Sequence, residues 1–288
     1  MSVINPNKLL LSSDFYSVQG EGRSTGVPSY FIRLGLCNLT CGMSSRFLKN
    51  LINEKQLEDG EIFKGDLELE GKATWTCDST SQWAWRGVDQ EFDFLLDRFK
   101  EEGVYDDIIA GRVHLIWTGG EPTMVKHQES IVNFFQFWRN VQDISRQLSP
   151  GVNQTIKYVY NEIETNGTVV IGDPLFELLS QINCSPKLSN SGLPEKQRIK
   201  PDAIKKIKEH KNYTFKFVIS TEDDIKELMS DFVIPFKIPL CNVYCMPGLD
   251  SQENFHERTN FVLEMAKKYK FIGGTRLHIS AWDKTLNV

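Results

Sequence analysis

Short apolar runs alternate with amphipathic stretches along most of the chain. Residues 30–36, 113–117, 157–163, 181–184, 213–219, 242–245 and 276–279 read as strands, rich in β-branched, aromatic or aliphatic side chains. Between them, 90–102, 129–148, 173–179, 201–210, 221–229 and 252–269 carry helical periodicity. Two of these helices start with appropriate chemistry: Pro201 stands in a first turn, and Thr221 is followed by Glu222, Asp223 and Asp224. Strands and helices alternating at this spacing predict right-handed βαβ units and a mainly parallel sheet. The fold class is α/β, as a partial barrel or an open, curved sheet, with ligands expected at the carboxyl ends of the strands.

Residues 42–74 break this rhythm. They hold five Lys/Arg and seven Asp/Glu, with neither Cys nor Trp. Phe47, Leu48, Leu51 and Ile52 have helical spacing, whereas Ile62, Phe63, Leu67 and Leu69 flank Lys64-Gly65 as in a small hairpin. A structureless loop of that length is unusual inside a compact domain, so 42–74 reads as a subdomain inserted into a single domain spanning 1–288.

The composition narrows the partners. A net charge of −5 provides no basic footprint for nucleic acid or anionic membrane, and neither is expected as a partner. Six cysteines stand at 37, 41, 77, 184, 241 and 245. An even count raises the possibility of disulfides, but disulfide-dependent folds are mostly short and secreted. Near the N-terminus, Leu9-Leu10-Leu11 is too short for a signal-peptide core, and no stretch approaches a membrane span. The expectation is a cytoplasmic protein with reduced thiols, and clustered thiols there point to a metal or to catalysis.

Cys37-Asn38-Leu39-Thr40-Cys41 follows the first of these strands, so two thiolates four positions apart can face one centre. Soft thiolates select zinc or iron–sulfur clusters over hard cations, and composition alone leaves both open. The third local thiol is Cys77, within Thr74-Trp75-Thr76-Cys77-Asp78-Ser79-Thr80.

With these cysteines in place, the chain resembles the 7-carboxy-7-deazaguanine synthase family of radical S-adenosylmethionine (SAM) enzymes. The resemblance rests on Gln19-Gly20-Glu21-Gly22, Phe31-Ile32-Arg33, the three cysteines, Thr118-Gly119-Gly120-Glu121-Pro122 and Glu164-Thr165-Asn166-Gly167. It continues through Ser185-Pro186-Lys187, Met246-Pro247-Gly248 and His278-Ile279-Ser280-Ala281-Trp282. The motifs keep the family's order over residues 16–282; Gly-Gly-Glu-Pro alone would indicate only the wider superfamily. Two departures stand out. The common superfamily spacing is Cys-x3-Cys-x2-Cys, whereas 35 residues separate Cys41 from Cys77 here. The residue before the third cysteine is usually aromatic and lies against the adenine; here it is Thr76, with Trp75 one position earlier.

The resemblance implies a partial (β/α)6-type radical SAM barrel with the insertion in its cluster loop. Cys37, Cys41 and Cys77 would hold a 4Fe-4S cluster that chelates SAM and, on reduction, releases an adenosyl radical. Thr76, Asp78, Gly120, Glu164, Asn166, Ser185, Pro186 and Lys187 would contact SAM, and Ser79 would bind Mg2+. Ser17, Val18, Gln19, Glu21, Arg33, Thr118 and His278, with the terminal Val288, would recognise the pterin substrate. A Glu and a Gln suit the edge of an aminopyrimidinone, and a guanidinium matches a carboxylate bidentately. A homodimer and a flavodoxin-like electron donor are also implied.

Each residue has a plainer alternative. The glycines also encode a β-turn, Ser79 a turn cap, Arg33 a strand-end salt bridge, His278 a satisfied core histidine and Lys187 a solvated loop lysine. Cys241-Asn242-Val243-Tyr244-Cys245 is a second Cys-x3-Cys that, with Cys184, would suit an auxiliary cluster, but small buried thiols pack well and the three are expected as packing. Competing functions are a radical SAM activase that installs a glycyl radical on another protein, and a non-catalytic zinc protein with the insertion as docking module.

Overall fold

The computed structural model describes residues 4–44, 46, 69, 71–77, 79–80, 87–148, 159–248, 252–283 and 285. Its strands are β1 (Leu9–Val18), β2 (Pro28–Leu34), β3 (Val88–Gln90), β4 (His114–Gly119), β5 (Asn161–Thr165), β6 (Gln181–Cys184), β7 (Tyr213–Ile219), β8 (Val243–Pro247) and β9 (Ile272–Gly273). They form one nine-stranded sheet in the order β3-β1-β2-β4-β5-β6-β7-β8-β9. From β2 to β9 every neighbour is parallel, whereas β1 runs antiparallel to β2 and β3. The main helices are α1 (Phe92–Glu101), α2 (Val125–Leu148), α3 (Pro201–Lys208), α4 (Glu222–Leu228), α5 (Phe255–Tyr269) and α6 (Leu277–Trp282). Among the described residues no helix is long and apolar enough to cross a membrane.

Strand alternation separates the two faces. Trp117, Ile163, Ile182, Phe215, Phe217 and Val243 share one apolar core with Phe134 and Trp138 of α2, Ile207 of α3, Leu228 of α4 and Val262 of α5. Trp138 is fully buried, with its ring centroid 5.7 Å from Phe99 and 5.6 Å from Phe134, and its Nε1 donates to Tyr105 Oη at 3.0 Å. Burial of each such side chain contributes about 1.5–3 kcal/mol. The intervening strand positions face the other way, and they are polar: Arg33 on β2, Thr118 on β4, Glu164 on β5, Asn183 on β6 and Lys216 on β7. The helices therefore leave that face for chemistry.

The apolar runs locate β6 and β7 to the residue and β2, β4 and β8 to within a few positions. Residues 157 and 158 of the expected fifth-strand region lie outside the described residues, and the strand begins at Asn161. The expected strand at 276–279 is corrected: these residues enter α6, with Ile279 N donating to Arg276 O at 3.1 Å. Four alternating residues satisfy a single helical turn as well as a strand. β1 was unforeseen, because its leucines form a continuous run and its remainder mixes Ser12, Ser13, Asp14 and Ser17 with Phe15, Tyr16 and Val18 without alternation. The helical and hairpin patterns within 42–74 fall almost wholly outside the described residues. What is described there is an antiparallel bridge between Met43 and Leu69 near the segment's two ends.

α4 begins as its sequence predicts. Asp224 N donates to Thr221 Oγ1 at 3.3 Å, and Asp224 Oδ2 accepts from Thr221 N at 2.9 Å, completing a capping box. Thr221→Ala is expected to cost about 1 kcal/mol. Urea unfolding measures this as a lower midpoint with an unchanged slope, and an unaltered midpoint would remove the cap from the account.

Candidate active site and cysteine centre

The first two cysteines sit on the turn that follows β2. Leu36 there adopts a positive φ of 65°, and its carbonyl accepts from Glu121 N at 3.0 Å. Gly120 is needed at this crossing, since a Cβ would stand 1.6 Å from Leu36 O. The Gly-Gly-Glu-Pro segment thus packs directly under the cysteine turn. Glu121 accepts from Thr123 N (2.9 Å), Thr123 Oγ1 (2.5 Å), Thr165 Oγ1 (2.7 Å) and Asn166 N (2.7 Å). These bonds join the end of β4 to the end of β5. Burial pushes the Glu121 carboxyl up, and the same donors pull against it.

Cys77 reaches this turn across the insertion. Its N–H donates to Cys41 O at 3.2 Å, and Gly42 (φ 79°) passes so close to Trp75 that a Cβ would lie 2.1 Å from Trp75 O. Cys37, Cys41 and Cys77 share one small apolar cluster with Leu39, Trp75 and Leu193. Burial, then the nearby Glu121, push the Cys37 thiol well above its ordinary range, with Cys77 and Cys41 adding to the effect. Such thiols ionise when a positively charged centre replaces their protons. Among the described residues, no three His, Cys, Asp or Glu side chains are grouped closely enough for a single metal ion. The three thiols on one apolar cluster are soft donors, which suit an iron–sulfur cluster.

The remaining cysteines divide differently from expectation. Cys184 and Cys245 are fully buried in the main core, as packing thiols should be. Cys241 is exposed, so its reading as packing is corrected: it lies in the 3-10 turn before β8, outside the buried strand. Cys241 therefore shares no centre with the two core thiols.

The other SAM-contacting candidates cluster around this centre, apart from Glu164. Asn166 Nδ2 donates to Asn38 Oδ1 at 2.9 Å, on the turn between Cys37 and Cys41. Ser185 N donates to Thr165 O at 2.7 Å, and Lys187 Nζ contacts Ser185 Oγ at 3.2 Å while standing 5.6 Å from the Trp75 ring centre. Lys187 is thus half-buried against the cysteine loop and Pro186 is buried, which argues against a solvated loop. Thr76 is half-buried beside Cys77. Next to Ser79, Thr80 Oγ1 donates to Cys77 O at 2.8 Å and closes that turn. Asp78 and Val288 lie outside the described residues.

The candidate substrate residues meet on the polar sheet face. Gln19 Nε2 donates to Glu164 Oε1 (3.2 Å), Thr118 Oγ1 to Glu164 Oε2 (2.8 Å), and Glu21 N to Gln19 Oε1 (3.1 Å). The Gly20 backbone lies against the His278 ring, where a Cβ would be 2.1 Å from Nδ1, and Leu277 N donates to Gly20 O at 2.9 Å. Arg33 stacks its guanidinium 4.5 Å from the Phe15 ring centre, in register with Thr118. Ser17 and Val18 end β1 opposite Ser29 and Pro28, so they border the site through the strand that leads into Gln19. Glu164, expected beside SAM, is instead bonded to this second group.

Two cations here were missed in the sequence. Lys216 has only 3% of its side chain exposed and bridges Glu164 Oε1 (2.9 Å) and Glu21 Oε2 (3.2 Å); Arg276 Nε holds Glu21 Oε1 at 2.7 Å. For Glu21, burial alone would raise the carboxyl, but Lys216, Arg276 and His278 more than offset it and hold it far below the usual range. For Lys216, burial lowers and the paired Glu164 and Glu21 raise, with a net upward shift. Both groups are therefore charged at neutral pH. The missed signal is a lysine between two phenylalanines, mid-strand in a parallel sheet, where only a paired cation is tolerable.

No protein-family model matches the chain. It is similar to 7-carboxy-7-deazaguanine synthase from Pyrobaculum aerophilum, at 27% identity over 269 residues, covering 93% of this chain and 92% of that protein. The enzyme of that name from Rhodopirellula baltica is 28% identical over 254 residues, covering 84% of this chain and 74% of the other. Among solved structures, QueE from Escherichia coli superposes with a TM-score of 0.53 over 94% of this chain and 95% of its own, at 18% identity. At that identity the likeness is one of fold. An α/β sheet with a three-cysteine turn after an early strand is the arrangement the resemblance to radical SAM enzymes implies. Within that class, the chain resembles the 7-carboxy-7-deazaguanine synthases along nearly its whole length, as the order of its motifs implies.

Lys216→Met removes the shared cation and is expected to cost about 3 kcal/mol in urea unfolding, because buried carboxylates lose their partner. The double variant Lys216→Met/Glu164→Gln should recover much of that loss, and equal losses in both would show the pairing to be incidental. The depressed Glu21 carboxyl stabilises the fold above its ordinary value of 4.5 and loses that contribution as pH falls below it. Glu21→Gln should therefore flatten the acid side of the stability profile between about pH 5 and pH 3.

Proposed function

We propose that the chain converts 6-carboxy-5,6,7,8-tetrahydropterin into 7-carboxy-7-deazaguanine with release of ammonia. The observation that carries this reading is the pairing of two neighbouring groups. Three cysteines from distant positions converge over Gly120 and Glu121, and two carboxylates, Glu21 and Glu164, lie on the adjoining polar face paired with Lys216 and Arg276. When bound, a 4Fe-4S cluster and SAM would supply the initiating adenosyl radical. Cys37, Cys41 and Cys77 would hold the cluster, with Asn166, Ser185, Pro186 and Lys187 bordering the SAM end.

The chain's own residues then bind and orient. Glu21 and Gln19 offer acceptors and donors suited to an aminopyrimidinone edge, and Arg33 offers a fork for the pterin carboxylate. Ser79 would place Mg2+ against the same carboxylate. His278, beside the Gly20 backbone, closes the site from α6. Substrate equals product plus ammonia with no net oxidation, so SAM can be returned at each turnover as a cofactor. A homodimer and a flavodoxin-like electron donor complete the reading.

Anaerobic incubation with SAM, reductant, Mg2+ and the carboxytetrahydropterin should yield the deazaguanine. SAM cleavage without that product would sink the substrate assignment and leave the radical SAM class standing. Reconstituted protein should hold about four irons per chain, all lost in Cys77→Ser. Stoichiometric zinc in place of iron would instead favour the non-catalytic reading.

A further inference from the structure

The chain on either side of the insertion comes back to one short turn. That turn is the 3-10 helix Ser189–Ser191, which follows the Ser-Pro-Lys segment. On the near side of the insertion, Gly42 N donates to Ser191 O at 2.8 Å. On the far side, Thr74 N donates to Asn190 O at 2.9 Å and Trp75 Nε1 donates to Asn190 Oδ1 at 3.0 Å. Asn190 is buried, and the other end of its carboxamide is also engaged. Its Nδ2 donates to Asp224 Oδ1 at 3.0 Å and to Val218 O at 3.3 Å. Ser189 is held in turn by Glu227, through N at 2.7 Å and Oγ at 2.6 Å.

These bonds form a continuous line. Asp224 is fixed by the capping box of α4, Asn190 is fixed by Asp224, and the Trp75 indole is fixed by Asn190. A single residue, Thr76, separates that indole from Cys77. A carboxamide suits this place because it accepts from the indole on one side and donates to a carboxylate on the other. An alanine leaves the indole N–H and a carboxylate oxygen without their shared partner.

We propose that Asn190 is a positioning residue for the cluster: it registers Cys77 against Cys37 and Cys41 from α4, independently of the insertion at 42–74. This rests on the reading of those three cysteines as the cluster ligands. Asn190 touches neither the cluster nor the substrate, and acts through Trp75.

The test compares the wild-type chain, Asn190→Ala, Trp75→Phe, Cys77→Ser and Thr221→Ala after anaerobic reconstitution with iron and sulfide. The readouts are iron per chain, the visible absorbance of the cluster, and its rate of loss to an iron chelator. Unfolding midpoints of the cluster-free proteins are measured alongside. Thr221→Ala is the control, since it loosens the same start of α4 without removing the bond to Trp75. Asn190→Ala should lose its cluster about tenfold faster than that control, as expected for one or two lost hydrogen bonds. Trp75→Phe removes the indole N–H together with the five-membered ring, keeps an aromatic side chain, and should move in the same direction; it decides the matter if Asn190→Ala does not fold. Loss rates in both variants no faster than in Thr221→Ala would overturn the proposal. A wild-type chain that takes up no iron, or a Cys77→Ser variant that keeps a full cluster, would remove the cysteine assignment itself and the proposal with it.

Discussion

The buried ammonium of Lys216 is the constraint around which the polar face is organised. It touches Glu21, 195 positions away in sequence, and Glu164, 52 away, while Arg276 closes on Glu21 across 255 positions. An unpaired charge in that environment would cost several kcal/mol, so these segments are obliged to meet. The loop after β1, the middle strands and the entry to α6 are held together by charge rather than by the apolar core behind the sheet. The same arrangement holds the Glu21 carboxyl far below its usual range on the polar face.

The cysteine centre solves a different problem. Closing a loop of 35 residues rather than two costs about 2.5 kcal/mol more in chain entropy. The structure offsets this with short-range geometry: the Met43–Leu69 bridge, the close pass of Gly42 over Trp75, and the bonds of both flanks to Ser189–Ser191. Each hydrogen bond contributes about 0.5–1.5 kcal/mol net, so a few suffice. An insertion between Cys41 and Cys77 is then compatible with a fixed place for Cys77, because both flanks of the insertion are bonded to Ser189–Ser191.

Legibility in the sequence followed physical rules. β6 and β7 were legible because Ile182 and Cys184, and Phe215, Phe217 and Ile219, recur at every second position, the period of a strand. β1 was not, since a strand whose leucines run together and whose remainder mixes polar and aromatic residues irregularly lacks the alternation that marks an edge of the core. Residues 276–279 misled because four residues cannot separate a period of two from a helical turn. Gln19, Glu21, Thr118 and His278 became candidates through motif order, and folding brings them to one face. Lys216 lies in no such motif, and its partners come from other strands. Glu164 was found but its neighbours were not: a strand-end glutamate reads alike whether it faces the Asn166 turn or Lys216.

What the sequence by itself determined is the alternation of strands and helices and the ordered motifs that carry the family resemblance. Those are local properties, written in spacing and residue type. The tertiary structure decided which charges share a partner, that Cys77 lies in one cluster with Cys37 and Cys41 despite its long spacing, and that Cys241 stands apart from the core thiols. Such outcomes depend on distances between segments remote in the chain, and a buried charge or a converging thiol acquires its meaning only from the groups that folding brings against it.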